Sequence, residues 1–143
     1  MNDFLNKDEE QAVVEAISEE EQRSRGEIRV CVCSRWIMRP EAYARKMFAG
    51  LGMAETEERN GALIVVVPRR HRFVVLGDEG LDGVVGPGYW EGIAAEMSAH
   101  LKQGRRVEAL VAGVRTLGAT MAEHWPSDGG GADELSNDIV FDG

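Results

Sequence analysis

The sequence predicts an α/β fold, a three-layer α/β/α sandwich around a small mixed sheet made of a parallel β-α-β unit plus an antiparallel hairpin. Three observations point there. Two apolar runs of strand length, 27–33 and 62–67, alternate with stretches whose apolar residues recur every three or four positions. Strand–helix–strand order favours a right-handed parallel crossover. The run ALIVVV at 62–67 is apolar without a break, as a strand covered on both faces is.

The elements follow in order. Residues 3–25 read as a first helix, with Phe4, Leu5, Val13, Val14 and Ile17 as its apolar positions, Glu19, Glu20 and Glu21 outward, and Gly26 as its stop. In 27–33, Ile28, Val30 and Val32 alternate with Arg29, Cys31 and Cys33. The second face is not strongly polar, so both faces are expected to be covered. Pro40 opens a second helix in the first-turn position that proline tolerates. Tyr43, Ala44, Met47, Phe48 and Leu51 form its single apolar stripe. Strands 62–67 and 73–76 are separated by too short a stretch for a crossover, which makes them an antiparallel hairpin. Residues 89–103 form a third helix with Trp90, Ile93, Ala94, Met97 and Leu101 inward. Residues 107–124 form a fourth with Leu110, Val111, Val114, Leu117 and Met121 inward, ended by Pro126. A single domain is expected over 1–126. The acidic, glycine-rich tail 127–143 is expected to be mobile over SDGGGADELSND, with Ile139, Val140 and Phe141 free to add an edge strand or dock on the body.

Composition excludes several functions. With 143 residues the chain suits one domain with a real core. Its 25 Asp and Glu against 16 Lys and Arg leave a net charge of −9, which repels phosphate backbones and anionic lipid. Nucleic acid is therefore not an expected partner. Arg69-Arg70-His71-Arg72 is the basic run, and it reads as a solvated turn rather than an anion site. The N-terminus has no apolar signal-peptide core, and no stretch approaches the ~20 apolar residues that span a bilayer. A soluble, cytoplasmic protein without a membrane segment is expected. Cys31 and Cys33 share one face of a strand, a spacing that does not favour a disulfide, and no second Cys/His pair completes a zinc site. They read as small buried apolar side chains.

One stretch does not explain itself: VVLGDEGLDGVVGPGYW, residues 74–90. The predicted topology brings the start of the first strand, the start of the second and the end of the third to one edge of the sheet. Glu27, Asn60, Asp78, Glu79 and Asp82 should gather there although they are scattered in sequence. Carboxylates with an amide carbonyl are hard oxygen ligands, the set calcium prefers, with magnesium as the alternative. The loop is not an EF-hand, because Gly80 stands at its third position and Tyr89 at its twelfth. It is not a phosphate loop either, since neither glycine-rich fingerprint is present. The other reading is a glycine-built turn whose acids solubilise it or favour a helix N-terminus.

The segments GEIRVCV (26–32), FAGLGMAETEERNGALIVVV (48–67), FVVLGDEGL (73–81), YWEGIAAEM (89–97) and NDIVF (137–141) resemble the TPM domain family through nearly the whole chain. The resemblance implies an α/β/α sandwich. It also implies two functional ideas: an acid phosphatase activity, associated with a thylakoid-lumen plant member acting in photosystem II repair, and calcium binding at loops in a bacterial cytoplasmic branch. Asn60 with Gly61 and Asp78 with Gly80 match the family's asparagine-glycine and acid-glycine positions, and Asp82 an acidic one. Relatives often carry another acid just before the helix that starts here at Tyr89. This chain has Gly86-Pro87-Gly88 there, so one ligand that the resemblance implies is missing, which weakens a metal site or leaves water in its place.

The chemistry of the residues is weaker on the enzyme side. There is no G-x-S-x-G and no C-x5-R loop, and His71, His100 and His124 sit in three different elements. Acids without a clear basic partner make poor phosphoryl-transfer sites. Trp90 and Trp125 read as packing residues, while Trp36 among arginines is either an exposed aromatic for a protein partner or a cap on the sheet. The expected function is a divalent-cation-binding accessory or interaction domain, not catalytic or only weakly so. The alternatives are a metal-dependent phosphatase for phosphomonoesters and a metal-free protein-interaction module.

Overall fold

The computed structural model describes residues 4–128 and 136–143. The first helix, α1 (Lys7–Gln22), starts later than the sequence pattern suggests, because Asn6 caps it. Asn6 accepts from the Glu9 amide and Glu9 accepts from the Asn6 amide, both at 2.8 Å, a reciprocal capping box. Phe4 and Leu5 therefore precede the helix, yet both are buried in the core. Strand β1 (Ile28–Cys33) follows, then α2 (Pro40–Gly50), β2 (Ala62–Val67) and β3 (Arg72–Gly77). A four-residue helix, α3 (Glu79–Asp82), lies inside the stretch read above as a loop. The long helices α4 (Tyr89–Lys102) and α5 (Arg106–His124) come next, and the short strand β4 (Val140–Asp142) ends the described chain. The mobility expected of the tail bears on residues 129–135, which lie outside the described residues.

The sheet has the order β3-β2-β1-β4. β1 and β2 are parallel and β2–β3 is the antiparallel hairpin, both as the sequence implies. β4 lies parallel to β1 on its other side, pairing Val32 with Phe141 and Cys33 with Asp142. Alternate strand residues feed two cores. Ile28, Val30, Val32, Ala62, Ile64 and Val66 pack with Ile17, Ile93, Leu110, Leu117 and Met121 from α1, α4 and α5. Cys31, Cys33, Leu63, Val65 and Val67 pack on the opposite face with Ala44 of α2. All six β2 residues are buried, which is why that strand carries no polar alternation. Burying each large aliphatic side chain is worth about 1.5–3 kcal/mol, so the helix-rich layer supplies most of the hydrophobic drive. No helix among the described residues is long and apolar enough to cross a membrane.

The basic run between β2 and β3 is not a solvated turn throughout. Pro68–Arg70 forms a 3-10 turn, and His71 closes it in the left-handed region at φ 51°. Arg70 donates to the carbonyls of Ile37 (2.6 Å) and Met38 (2.8 Å), and its guanidinium sits 4.5 Å from the Trp36 ring. Trp36 itself stays 54% exposed. Cys31 and Cys33 are buried free thiols, as expected, and burial pushes the Cys31 thiol up to about 11.

Candidate functional site

Strand pairing places Glu27, Asn60 and Asp78 at one end of the sheet, and Glu79 and Asp82 follow Asp78 on α3. β1 and β2 begin together, with Ile28 opposite Ala62, and β3 ends beside them, with Gly77 opposite Ala62. Two backbone bonds stitch this end. The Ala62 amide donates to the Glu27 carbonyl (2.8 Å) and the Asp78 amide to the Gly61 carbonyl (2.9 Å). Glu27, Asn60 and Asp78 are all buried there.

The side chains do not form a ring of free carboxylates. Asp78 is held by Arg59, whose Nε donates to Oδ2 (2.7 Å) and whose Nη2 donates to Oδ1 (2.9 Å). The same Oδ1 accepts from the Glu79 amide (2.8 Å), so Asp78 caps α3. The Asp78 carboxylate in turn raises the Arg59 guanidinium pKa. Glu79 is largely exposed and meets Arg59 Nη1 at 3.2 Å. Asp82 is exposed and accepts from the Trp90 indole (2.8 Å). Trp90 thus serves two purposes, packing beside the core and fixing the end of α3.

Local geometry forces this arrangement. Arg59 lies in the left-handed region at φ 51°, which turns the chain into Asn60-Gly61. Its carbonyl accepts from the Gly80 amide (2.8 Å), so the loop before β2 and the start of α3 touch through backbone. A Cβ on Gly80 would lie 2.6 Å from that carbonyl oxygen, and one on Gly77 would lie 2.6 Å from Cζ2 of Trp90. Both glycines are required by close approach.

Asn60 and Thr56 each carry a buried polar atom without a hydrogen-bond partner among the described residues. Asn60 is fully buried, and its Nδ2 donates to the Arg25 carbonyl at 3.4 Å while its Oδ1 accepts from nothing. Thr56, also buried, has no partner for its Oγ1. Nearby, Arg25 is occupied by Glu58 at 2.8 Å. Among the described residues, no three His, Cys, Asp or Glu side chains are grouped to hold a metal ion. The donors at this end suit a hard cation in kind, being amide, hydroxyl and carboxylate oxygens. Sequence reasoning missed Arg59 and Thr56 as members of this end of the sheet. Both fall inside the T…RNG pattern that carries the family resemblance, which was the available signal.

A second polar cluster stands at the far end of β1. Asp142 of β4 accepts from the Tyr43 hydroxyl and from Arg35 Nη2, the latter at 2.8 Å. These bonds, Tyr43 first, hold the Asp142 carboxyl below its ordinary value. Burial, then the Asp142 bond, raises the Tyr43 phenol.

Fold and site together define an α/β/α sandwich domain with a polar cluster at one end of a mixed sheet. The chain belongs to the TPM domain family, which matches residues 1–120. Its fold is similar to that of the BA42 protein of the psychrophilic bacterium Bizionia argentinensis, with 33% identity and a TM-score of 0.90 over 99% of this chain and 97% of that one. It is also similar to the N-terminal domain of a P. gingivalis protein (21% identity, TM-score 0.70, 86% of this chain and 80% of that one). The N-terminal domain of cg2496 from Corynebacterium glutamicum is similar as well (13% identity, TM-score 0.64, 82% and 74%). The last two likenesses concern the fold alone. No curated protein matches the chain.

Proposed function

We propose that this TPM domain is a non-catalytic accessory module that takes a divalent cation, calcium by its ligand chemistry, at the end of the sheet formed by Glu27, Asn60, Asp78, Glu79 and Asp82. The observation that carries the reading is Asn60 Oδ1, a buried amide oxygen with no donor among the described residues, beside an acidic loop. Leaving such an acceptor unsatisfied costs about 1–3 kcal/mol, which a cation or its bound water would offset. Glu79 and Asp82, exposed on α3, are the carboxylates with room to turn toward an incoming ion. Asp78 joins them only as Arg59 lets go, so the ion and the guanidinium compete for one carboxylate.

The phosphatase reading has less support. A phosphoryl group needs positive charge around its oxygens. Arg59 and Arg25 are the cations near the acidic loop, and both are taken by carboxylates. On the partner side, exposed Trp36 and Met38 support an interaction surface beyond the end of β1.

A calcium titration of metal-free protein, followed by backbone amide shifts, tests the proposal. The amides of Glu27, Asn60, Gly61 and Asp78 to Gly83 should move together and saturate, and the Arg59 Nε signal should shift as Asp78 is released. Unmoved amides at millimolar calcium would overturn the reading. A parallel assay with a phosphomonoester should stay at background with and without the ion.

A further inference from the structure

At the opposite end of the sheet from the acidic loop, the β2–β3 turn and the junction of α4 and α5 enclose a cleft of about 460 Å³. The two ends are separated by the six-residue strands, roughly 20 Å at ~3.3 Å per residue. The floor of the cleft is apolar, made by Phe4, Val66, Phe73 and Leu101. Its charged lining residues are Arg72, Lys102 and Arg106, all of them basic, and His71 stands beside them. This runs against composition, because the chain carries 25 acids to 16 Lys and Arg.

The basic groups are placed differently. Arg72 is paired with Glu41. Arg106 stacks 5.1 Å from the Phe4 ring and donates to the Phe4 carbonyl, so it forms part of the wall. Lys102 and His71 are exposed and make no ion pair among the described residues. An apolar floor with cations on its rim matches a molecule with an apolar body and an anionic head: the body is desolvated while the head stays at the wet margin. The volume lies within the range of small-molecule pockets.

We infer that this cleft binds a small organic carboxylate with an apolar body, seated on Phe4, Phe73 and Leu101 with its head beside Lys102 and His71. The inference is independent of the cation reading, which concerns the other end of the sheet.

The test is an amide-shift titration of the full chain with octanoate, with octanol and acetate as controls that keep only the body or only the charge. Octanoate should shift the amides of His71 to Phe73 and Leu101 to Arg106 and saturate, and neither control should match it. The double variant Lys102→Glu with His71→Glu changes two exposed side chains and should weaken octanoate by about fivefold or more while leaving octanol unchanged. Several results would overturn the inference. Octanol binding as tightly as octanoate would make the cleft a plain apolar surface. Equal affinity in the double variant would remove Lys102 and His71 from the site. Shifts seen with anionic phosphatidylglycerol vesicles but absent with octanoate would make it a membrane contact.

Discussion

Arg59 grips both carboxylate oxygens of Asp78, Nε on Oδ2 at 2.7 Å and Nη2 on Oδ1 at 2.9 Å, across 19 residues of sequence. The pair joins the loop before β2 to the start of α3, and it occupies a buried acid of the candidate site. Arg59→Ala should therefore do two things. It should loosen α3, seen as faster exchange of the Gly80 and Asp82 amides. It should also tighten calcium binding, because the competing cation is gone. Asp78→Ala should lose at least the cap of α3, about 0.5–2 kcal/mol in chemical denaturation, and should not gain affinity. If Arg59→Ala weakened calcium binding instead, the guanidinium would be supporting the site and the competition would be wrong.

Gly80 stands where a side chain cannot. A methyl group there meets the carbonyls of Glu58 and Arg59, which are backbone and cannot turn aside. Gly80→Ala should cost about 1–3 kcal/mol, as overpacking does, and displace α3 from the loop. Gly86→Ala, with open space around its position, is the control and should be close to neutral. Denaturant midpoints of the two variants measure the contrast.

Much of this fold is legible in the sequence, and the exceptions have physical reasons. β2 was plain because both of its faces are buried, so every residue is apolar. The apolar pattern extends α1 too far because Phe4 and Leu5 are core residues ahead of the cap, and hydrophobicity alone does not separate them from a first helical turn. The Asn6–Glu9 capping box was the missed cue. α3 escaped because four residues are too few to show a helical period. The meeting of Glu27, Asn60 and Asp78 could be reasoned from topology, since strand direction alone decides which ends coincide. The Arg59–Asp78 pair could not, because it depends on a left-handed arginine that no pattern announces. The basic cleft was hidden for a related reason: Arg106 and Lys102 come from helix ends some thirty residues beyond the hairpin turn they face.

The two cysteines should be silent in the native protein. Both are fully buried, and burial holds the Cys31 thiol protonated up to about 11, against an ordinary value of 9.0. At about pH 8 a thiol-disulfide reagent should modify neither residue until denaturant is added. The sign of the pH effect follows from the raised value. Below 9.0 the thiol is neutral folded or unfolded, and native stability is intact. Between 9.0 and about 11 the unfolded chain ionises more readily, so stability should fall as pH rises. Denaturant midpoints across that window check it, with Cys31→Ala flattening the slope. Rapid native labelling of either cysteine would show that the α2 face of the sheet opens.

β4 is held at the edge of β1 by few contacts, and Asp142 concentrates them. Its carboxylate accepts from Tyr43 and Arg35, while its carbonyl accepts from the Ser34 amide at 2.9 Å. The Tyr43 bond, then the Arg35 bond, lowers its pKa from the ordinary 3.8. A lowered folded value means that this stabilisation is fully present above 3.8 and is lost as pH falls through the folded value. Acidification below the ordinary carboxylate range should therefore release β4 while the β1–β2 ladder persists. At neutral pH, Asp142→Asn should have a similar effect, because the amide carries no charge for Arg35 and loses one of two equivalent acceptor oxygens. Hydrogen exchange of the Ser34 amide reads the docking directly, and the Val66 amide reports whether the β1–β2 ladder holds. In the variant, Ser34 should exchange faster with Val66 unchanged. A Ser34 amide as slow in the variant as in the parent would mean that Ile139, buried in the core just before the strand, holds β4 in place without the carboxylate.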